Sequence, residues 1–387
     1  MSEWKEYRFS KFVEISPSVT LKPGAICSFV EMADLKDGNK FCEPSTVRPF
    51  NSSGTKFQER DTLFARITPC LENGKICQVR NLLDNRGFGS TEFHVFRGSE
   101  GLSDTDFVYY VSRWSGVRDF AEANFHGTSG RQRVPRESFD NLFLKLPGYT
   151  EQRAIAGVLS SLDDKIDLLH RQNKTLAGMA EALWRQMFVE EADPGWRKGK
   201  LGDIAEINPL RSIKKGAIVA YLDMSNMPTN GPFPKEWVQR EFSSGMKFKN
   251  GDTVMARITP CLENGKTAYV NFLTHDEIAW GSTEYIVLAP KPGYCSEWYY
   301  FLARNDDFRD FAIQNMTGTS GRQRVSGDSI AQYEIVIPPV NIFEGFGTFA
   351  GPVMEHIRQN SFQIRTLSRL RDTLLPKLMS GEVKVKL

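Results

Sequence analysis

The sequence has few of the residues that build metal sites or disulfide frameworks. Its six cysteines form no Cys-x-x-Cys pair and its five histidines are scattered, which argues against a zinc site and a disulfide framework. It has no run of about eighteen apolar residues, and its start, MSEWKEYRFS, lacks the apolar core and cleavage pattern of a signal peptide. We therefore expect a cytoplasmic protein without a membrane segment. A net charge of +2 permits a nucleic-acid partner without indicating one.

Familiar catalytic motifs are also missing from the sequence. It contains no GxxxxGK[ST] phosphate loop, no helicase-like acidic box and no [DNS]PP[YF] amino-methyltransferase motif. Asp61 followed by Glu72-Asn-Gly-Lys75 resembles a metal-dependent nuclease pattern, in which an Asp precedes Glu-x-Lys. Here the spacing is Glu-x-x-Lys, and Asn-Gly favours a hairpin turn over a strand. We expect a non-catalytic chain with no metal site and no cofactor of its own, and the nuclease remains an alternative.

What the sequence does contain is an internal duplication. Three segments occur twice: ARITPCLENGK at 65 and 256, GSTE at 89 and 281, and GTSGRQRV at 127 and 318. Trp4 to Pro17 is likewise matched by Trp196 to Pro209. In each copy, short apolar runs broken by Gly, Asn and Pro, with a few helical patches, predict a compact α+β domain. The chain is therefore predicted to hold two copies of one unit.

The end of each copy has a heptad pattern, with apolar positions at a strict 4-3-4-3 spacing. The first series is Ile155, Leu159, Leu162, Ile166, Leu169, Asn173, Leu176, Ala180, Leu183 and Met187, and the second is Phe346, Ala350, Val353, Ile357, Asn360, Ile364, Leu367, Arg371, Leu374 and Leu378. Thr150 and Asn341 are predicted N-caps. Gly381 is a stop signal, and Pro376 is expected to kink or end the second helix a turn early.

The polar exceptions in the two series predict how the helices pair. An antiparallel arrangement with Ile155 opposite Leu378 places Asn173 opposite Asn360. A buried Asn fixes register when its partner is also an Asn. We therefore predict one intramolecular antiparallel coiled coil, in which Arg371 opposite Leu162 is the poorest layer. Two pseudo-two-fold related α+β domains joined by two long helices follow from this pairing.

The repeated polar loops have a composition that suits duplex DNA. Arg presents a fork that matches guanine O6 and N7, Gln can bond adenine N6 and N7, and Gly, Ser and Thr suit phosphates. Glu92 and Glu284 have two readings: each accepts from cytosine N4, or each braces a neighbouring Arg. Tight turns required only for folding are the competing explanation of the loops.

The residues after the first domain resemble a known family. Leu146-Pro147, Glu151-Gln-Arg-Ala-Ile-Ala156 and the heptad helix through Val158-Leu-Ser-Ser-Leu-Asp-Asp-Lys-Ile166 look like the specificity subunit of type I restriction-modification systems. The resemblance covers the whole chain, although Pro338-Pro-Val-Asn-Ile-Phe-Glu344 lacks the Glu-Gln pair. It implies target-recognition domains at 1–147 and 193–338 and coiled-coil helices at 148–192 and 339–387.

The resemblance also implies partners and DNA-facing positions. Each domain would read half of a bipartite double-stranded DNA target. The helices would dock two methyltransferase subunits that use S-adenosylmethionine, and restriction subunits would add ATP- and Mg-dependent translocation and cleavage. The positions implied to face DNA are Arg66, Thr68, Lys75, Ser129, Arg131, Gln132 and Arg133, with Arg257, Thr259, Lys266, Ser320, Arg322, Gln323 and Arg324 in the second copy.

Two copies of the same loops predict a nearly palindromic, interrupted target. The segments 34–50 and 225–242 differ, so the half-sites are expected to differ at a base or two. A specificity subunit of a related phage-exclusion or type II system, and a scaffold that binds no DNA, remain alternatives.

Overall fold

The structure is a computed structural model that describes residues 4–51, 53–128, 130–319 and 321–386. The chain divides into two compact units. The first unit is Met1–Leu168 with Gln363–Leu387, and the second is Leu169–Phe362. Each unit therefore contains one globular domain together with a segment of each long helix. Among the described residues, no helix combines the length and apolarity needed to cross a bilayer.

The first unit is built mainly from short strands. In chain order its elements are β1 (Lys5–Arg8), α1 (Phe9–Phe12), β2 (Val13–Ile15), β3 (Ile26–Val30), β4 (Phe41–Cys42), β5 (Thr46–Pro49), β6 (Thr55–Gln58), β7 (Thr62–Ala65), β8 (Ile76–Val79), β9 (Arg86–Gly89), β10 (Phe93–Gly98), α2 (Thr105–Arg113), α3 (Ser115–Ala123) and β11 (Phe143–Leu146), followed by the long helix α4 (Tyr149–Arg185). The strands form sheets of order β2-β10-β7-β8-β4 and β5-β3-β9-β6, and β1 pairs with β11.

The second unit repeats this plan. Its elements are β12 (Arg197–Lys200), α5 (Leu201–Ile204), β13 (Ala205–Ile207), β14 (Ile218–Leu222), β15 (Val238–Glu241), β16 (Met246–Phe248), β17 (Thr253–Ala256), β18 (Thr267–Tyr269), β19 (Ala279–Gly281), β20 (Tyr285–Pro290), α6 (Ser296–Arg304), α7 (Asp306–Gln314), α8 (Gly327–Ala331), β21 (Glu334–Ile337) and the long helix α9 (Val340–Met379). Its sheets are β13-β20-β17-β18 and β15-β14-β19-β16, and β12 pairs with β21. The predicted α+β class and the two-domain duplication are confirmed.

The central strand of each domain carries the first repeated segment to the surface. All four residues of β7 are buried, as are all four of β17, because sheet and helices cover both faces. Each strand runs directly into the repeated Arg-Ile-Thr-Pro turn. Helix α2 packs beside β10 and β7, and the Asp104 side chain caps it by accepting from the Phe107 amide (3.0 Å). The core thus fixes the point at which the polar turn begins.

The long helices pair antiparallel inside each unit. In the first unit, Ile155 and Leu159 of α4 share one core with Leu375 and Leu378 of α9. In the second unit, the Phe188 ring after α4 lies 5.3 Å from Phe343 and 5.5 Å from Phe346. The helix surfaces and the globular domain of each unit therefore belong to one hydrophobic core.

Three details of the helices differ from the sequence predictions. Helices α4 and α9 begin at Tyr149 and Val340, so Thr150 and Asn341 lie within the first turn and are not N-caps. Helix α9 continues past Pro376 to Met379, because packing of Leu375, Leu378 and Met379 holds its last turn in place. Gly381 follows with φ +75°, as expected of a residue that ends a helix.

The Arg371 layer is also different from the prediction. Arg371 is 2% exposed, and its Nη1 donates to Asp163 Oδ1 (2.6 Å), so the layer contains a paired charge and is not a poor one. Tyr110 donates to the other carboxylate oxygen of Asp163 (2.7 Å). The heptad series placed Leu162 opposite Arg371, because it includes Leu162 but not its neighbour Asp163.

Candidate nucleic-acid interface

The three repeated segments of the first domain meet in one hydrogen-bonded cluster. Arg66 donates its amide to the Glu92 carbonyl (3.0 Å) and accepts at its own carbonyl from Val134 (2.9 Å). The Thr68 amide donates to the Gln132 carbonyl (3.0 Å). Residues 66–68, 92 and 132–134 thus come from three distant parts of the sequence. We call this group the loop cluster of the first unit.

The second domain builds the same loop cluster. Arg257 donates its amide to the Glu284 carbonyl (3.0 Å) and accepts from Val325 (3.0 Å). The Thr259 amide donates to the Gln323 carbonyl (3.1 Å). The repeated letters therefore correspond to a repeated three-dimensional arrangement in each unit.

A bidentate ion pair holds each cluster together. In the first unit, Arg133 Nε and Nη2 donate to the Glu92 carboxylate at 2.8 Å and 2.6 Å. In the second, Arg324 makes the same contacts to Glu284 at 2.9 Å and 2.7 Å. The hydrogen bond from Arg133 lowers the pKa of Glu92. The geometry therefore favours the bracing role of Glu92 and Glu284 over the cytosine-accepting role.

The loop between Gly127 and Arg133 leaves one arginine free of these bonds. Arg131 and its counterpart Arg322 are exposed, and Gln132 and Gln323 are half-buried. Arg133 Nη1 donates back to the Arg131 carbonyl (3.2 Å), which ties the backbone of the exposed residue to the braced one. Ser129 and Ser320, also predicted to face DNA, lie outside the described residues.

Four of the predicted DNA-facing residues make contacts within their own domain. Thr68 is 7% exposed, and its Oγ1 accepts from the Gln132 amide (3.0 Å), while the Thr259 hydroxyl is buried. Lys75 donates its ammonium to the Met32 carbonyl (2.8 Å), and Lys266 donates to Met224 (2.7 Å). These four residues connect each turn to its own domain, and their contact with DNA stays a prediction.

The nuclease pattern is not assembled. Arg97 binds the Asp61 carboxylate through two contacts of 2.7 Å, and Lys75 is held on Met32. Glu72 is exposed in the turn. The described part of the chain contains no group of three or more His, Cys, Asp or Glu side chains placed to hold a metal ion.

A basic cavity beside the first loop cluster was not predicted. It has a volume of about 430 Å³ and is lined by Lys56, Arg66, Arg136 and His94, together with the hydroxyl groups of Ser16, Ser18, Thr55 and Thr91. The Nε of Arg66 is buried and has no hydrogen-bond partner among the described residues. Burial lowers the pKa of His94 to about 4, so the ring is neutral at pH 7 and its Nε2 lies 2.9 Å from the Val134 carbonyl.

The second unit keeps two of the three cations of this lining. Lys247 and Arg257 occupy the places of Lys56 and Arg66, but Gly327 replaces Arg136 and Ile286 replaces His94. Ser18 corresponds to Leu210, which is fully exposed. Aligning the two repeats position by position would have revealed this difference in the cavity lining from the sequence alone.

The geometry defines a duplicated α+β chain that carries the same arginine-rich loop cluster on each copy. Comparison with protein-family models gives no match. The chain is 21% identical to the type I restriction enzyme HindI specificity subunit of Haemophilus influenzae, over 99% of this chain and all of that protein. It is 23% identical to the MjaIX specificity subunit of Methanocaldococcus jannaschii, over 73% of this chain and 70% of that protein.

A solved structure shares the fold along almost the whole chain. The type I restriction-modification S subunit from M. genitalium superposes with a TM-score of 0.59 at 15% identity and covers 97% of this chain and 96% of its own. The chain is therefore similar over its whole length to type I restriction enzyme specificity subunits. This confirms the resemblance inferred from the sequence.

Proposed function

We propose that this chain is the DNA-recognition subunit of a type I restriction-modification complex. Each unit reads one half of a bipartite double-stranded target, and the chain itself does no chemistry. The similarity to named specificity subunits supports this function and does not favour the nuclease alternative. The observation that carries the proposal is the loop cluster, which is built twice with the same contacts and leaves Arg131 and Arg322 exposed.

The loop cluster has the chemistry of base recognition on a fixed support. Arg131 and Arg322 present guanidinium groups that suit guanine O6 and N7, and Gln132 and Gln323 offer amides that suit adenine. The Arg133–Glu92 pair holds the backbone beside Arg131, so the reading side chain starts from an ordered position. Each good bidentate base contact contributes roughly 1–3 kcal/mol of discrimination.

The two units are expected to read similar half-sites. The same residues form both loop clusters, and a repeated reader in a two-fold arrangement reads an inverted repeat. The half-sites then differ at a base or two, because the segments 34–50 and 225–242 of the two units differ. This leads to a nearly palindromic target interrupted by a spacer.

The basic cavity gives the first unit an additional phosphate contact. Lys56, Arg66, Arg136 and several hydroxyl groups line the cavity. The Nε–H group of Arg66 has no hydrogen-bond acceptor among the described residues. A backbone phosphate satisfies these groups, whereas the second unit keeps Lys247 and Arg257 but has Gly327 in place of Arg136. We expect Arg136→Ala to lower the slope of log affinity against log salt by about one without changing base preference.

The partners follow from the same proposal. Two methyltransferase subunits bind the helices and supply adenine methylation with S-adenosylmethionine. Restriction subunits supply ATP- and Mg-dependent translocation and cleavage. The chain itself binds none of these cofactors.

Duplex binding by the chain in complex with its methyltransferase subunits tests the function. Binding is expected to be selective for sequence and to weaken with salt. Arg131→Ala should relax preference at one position of one half-site, and Arg322→Ala at the matching position of the other. Lys11→Ala, which removes an exposed cation outside the loop cluster, is the control. Equal affinity of the wild-type complex for all duplexes would refute the proposal.

A further inference from the structure

Two polar pairs join the long helices, one buried and one partly buried, and each pair takes one residue from each repeat. In the second unit, Asn360 Nδ2 donates to Asn173 Oδ1 (2.9 Å), and Asn173 Nδ2 donates to Ser361 Oγ (3.2 Å). In the first unit, Arg371 Nη1 donates to Asp163 Oδ1 (2.6 Å). Asn173 and Asp163 belong to α4, whereas Asn360 and Arg371 belong to α9.

The charged pair is completely enclosed. The side chains of Arg371 and Asp163 are 3% and 1% exposed. Tyr110 donates to Asp163, and Arg371 also donates to the Gly38 carbonyl (2.8 Å). Arg371 Nε also pairs with the exposed Asp372 (2.9 Å), so Asp163 is the buried carboxylate of a small charged group. Burial removes water as an alternative partner of Asp163.

The equivalent positions of the other repeat are all apolar. Residues of α9 correspond to residues of α4 that lie 191 positions earlier, as in the repeated ARITPCLENGK segment. On that correspondence Asp163 matches Met354, Arg371 matches Ala180, Asn173 matches Ile364 and Asn360 matches Leu169. Met354, Ala180 and Leu169 are each at most 1% exposed, so these positions are also core positions in their own unit.

Pairing between identical repeats would therefore break both polar pairs. If α4 paired with α4 of a second chain in the same register, Asp163 would face Ala180 and Asn173 would face Leu169. If α9 paired with α9, Arg371 would face Met354 and Asn360 would face Ile364. Each case places a buried or half-buried polar or charged group against an apolar side chain, which is unfavourable.

We propose that these two pairs make the helix surface selective for the helix of the other repeat and reject a second copy of the same repeat. A duplicated chain needs such a device because its two helices have the same heptad spacing and otherwise pair with copies of themselves. The proposal concerns helix pairing alone and does not depend on the proposed function.

The test is a full-length variant in which each polar residue is replaced by the residue at the equivalent position of the other repeat. The changes are Asp163→Met, Arg371→Ala, Asn173→Ile and Asn360→Leu. Isotopically light and heavy copies of the variant are refolded together, and their mass and lysine cross-links are measured. We expect species of two or more chains and light–heavy cross-links between Lys165 and Lys174, both on α4. Wild-type chains should give no such α4–α4 cross-links.

Two further variants separate selectivity from general effects. Gln172→Leu with Lys174→Leu adds apolar surface at exposed positions of α4 and leaves both polar pairs intact, so its mass should match that of the wild type. Asn173→Ile with Asn360→Leu keeps the charged pair and should give an intermediate amount of mixed species, which covers the case in which the fourfold variant does not fold. Mixed species at the wild-type level in both the fourfold and the double variant would overturn the proposal. So would equally abundant α4–α4 contacts in the wild-type chain.

Discussion

At the scale of single residues, neighbouring arginines of the same motif have different roles. Arg131 and Arg133 stand two positions apart in GTSGRQRV, yet Arg133 is bound by Glu92 and Arg131 is exposed. The sequence predicted both as DNA-facing, since the partner of Arg133 lies 41 positions away and nothing local indicates it. Thr68 and Lys75 also bond to residues that are distant in sequence, Gln132 and Met32, so nothing local to them indicates these contacts.

Removing the brace is expected to loosen the loop with little effect on the domain. In Glu92→Ala, amide hydrogen exchange at His126 and Arg133, which bond to each other in the wild type, should accelerate. The free energy of unfolding should change little, because the pair is partly exposed and water screens it. Glu284→Ala should have the same effect in the second unit, and the exposed Glu137→Ala is the control. Unchanged exchange in both brace variants would show that the ion pair does not order the loop.

His94 is expected to make the stability of the first unit depend on pH. Its folded-state pKa of about 4 lies below the usual 6.5, so the unfolded chain binds a proton that the folded chain does not. Stability from this residue is fully present above pH 6.5 and declines as the pH falls toward 4, by up to about 3 kcal/mol in total. His94→Ile, which introduces the residue found in the second unit, should flatten the pH dependence of denaturant unfolding over this range. An identical slope in the variant would contradict the assignment.

At the scale of secondary-structure elements, the heptad pattern predicted the long helices well. Apolar periodicity follows directly from helix geometry, so the sequence indicated both helices and their antiparallel pairing. The structure brings Asn173 and Asn360 together, as that pairing requires. The heptad pattern could not reveal that Arg371 is paired with a carboxylate, because Asp163 lies outside the heptad series and its other partner, Tyr110, comes from the globular domain.

The buried pair of Arg371 and Asp163 is expected to affect the free energy of unfolding. Arg371→Ala should cost about 3–5 kcal/mol of unfolding free energy, because it leaves the buried Asp163 carboxylate without its cation. Adding Asp163→Met should recover most of that loss, since the second unit holds the equivalent residues Ala180 and Met354 in its core. A complete double-mutant cycle measured by denaturant unfolding gives the coupling between the two sites. Additive losses from the two substitutions would show that the residues are not coupled.

At the scale of the whole molecule, the duplication was the most informative feature of the sequence. Repeated segments at a nearly constant spacing predicted two units of one fold. Both units have the same loop cluster and matching sheet orders, except that one sheet of the first unit has a fifth strand, β4. The chemical differences between the units were harder to foresee. The basic cavity of the first unit depends on residues 56, 66, 94 and 136, which come together only in the folded domain.

The central claim is that the two loop clusters read the two halves of one DNA target. Methylome sequencing of a host that carries this gene with its methyltransferase partner tests it most directly, comparing the wild-type gene with Arg131→Ala and Arg322→Ala. We predict a methylated, nearly palindromic sequence interrupted by a spacer, in which each substitution relaxes one base position in a different half. Unrelated half-sites would contradict the shared reading of the two clusters. A methylated sequence that neither substitution alters would contradict the claim that these loops read DNA.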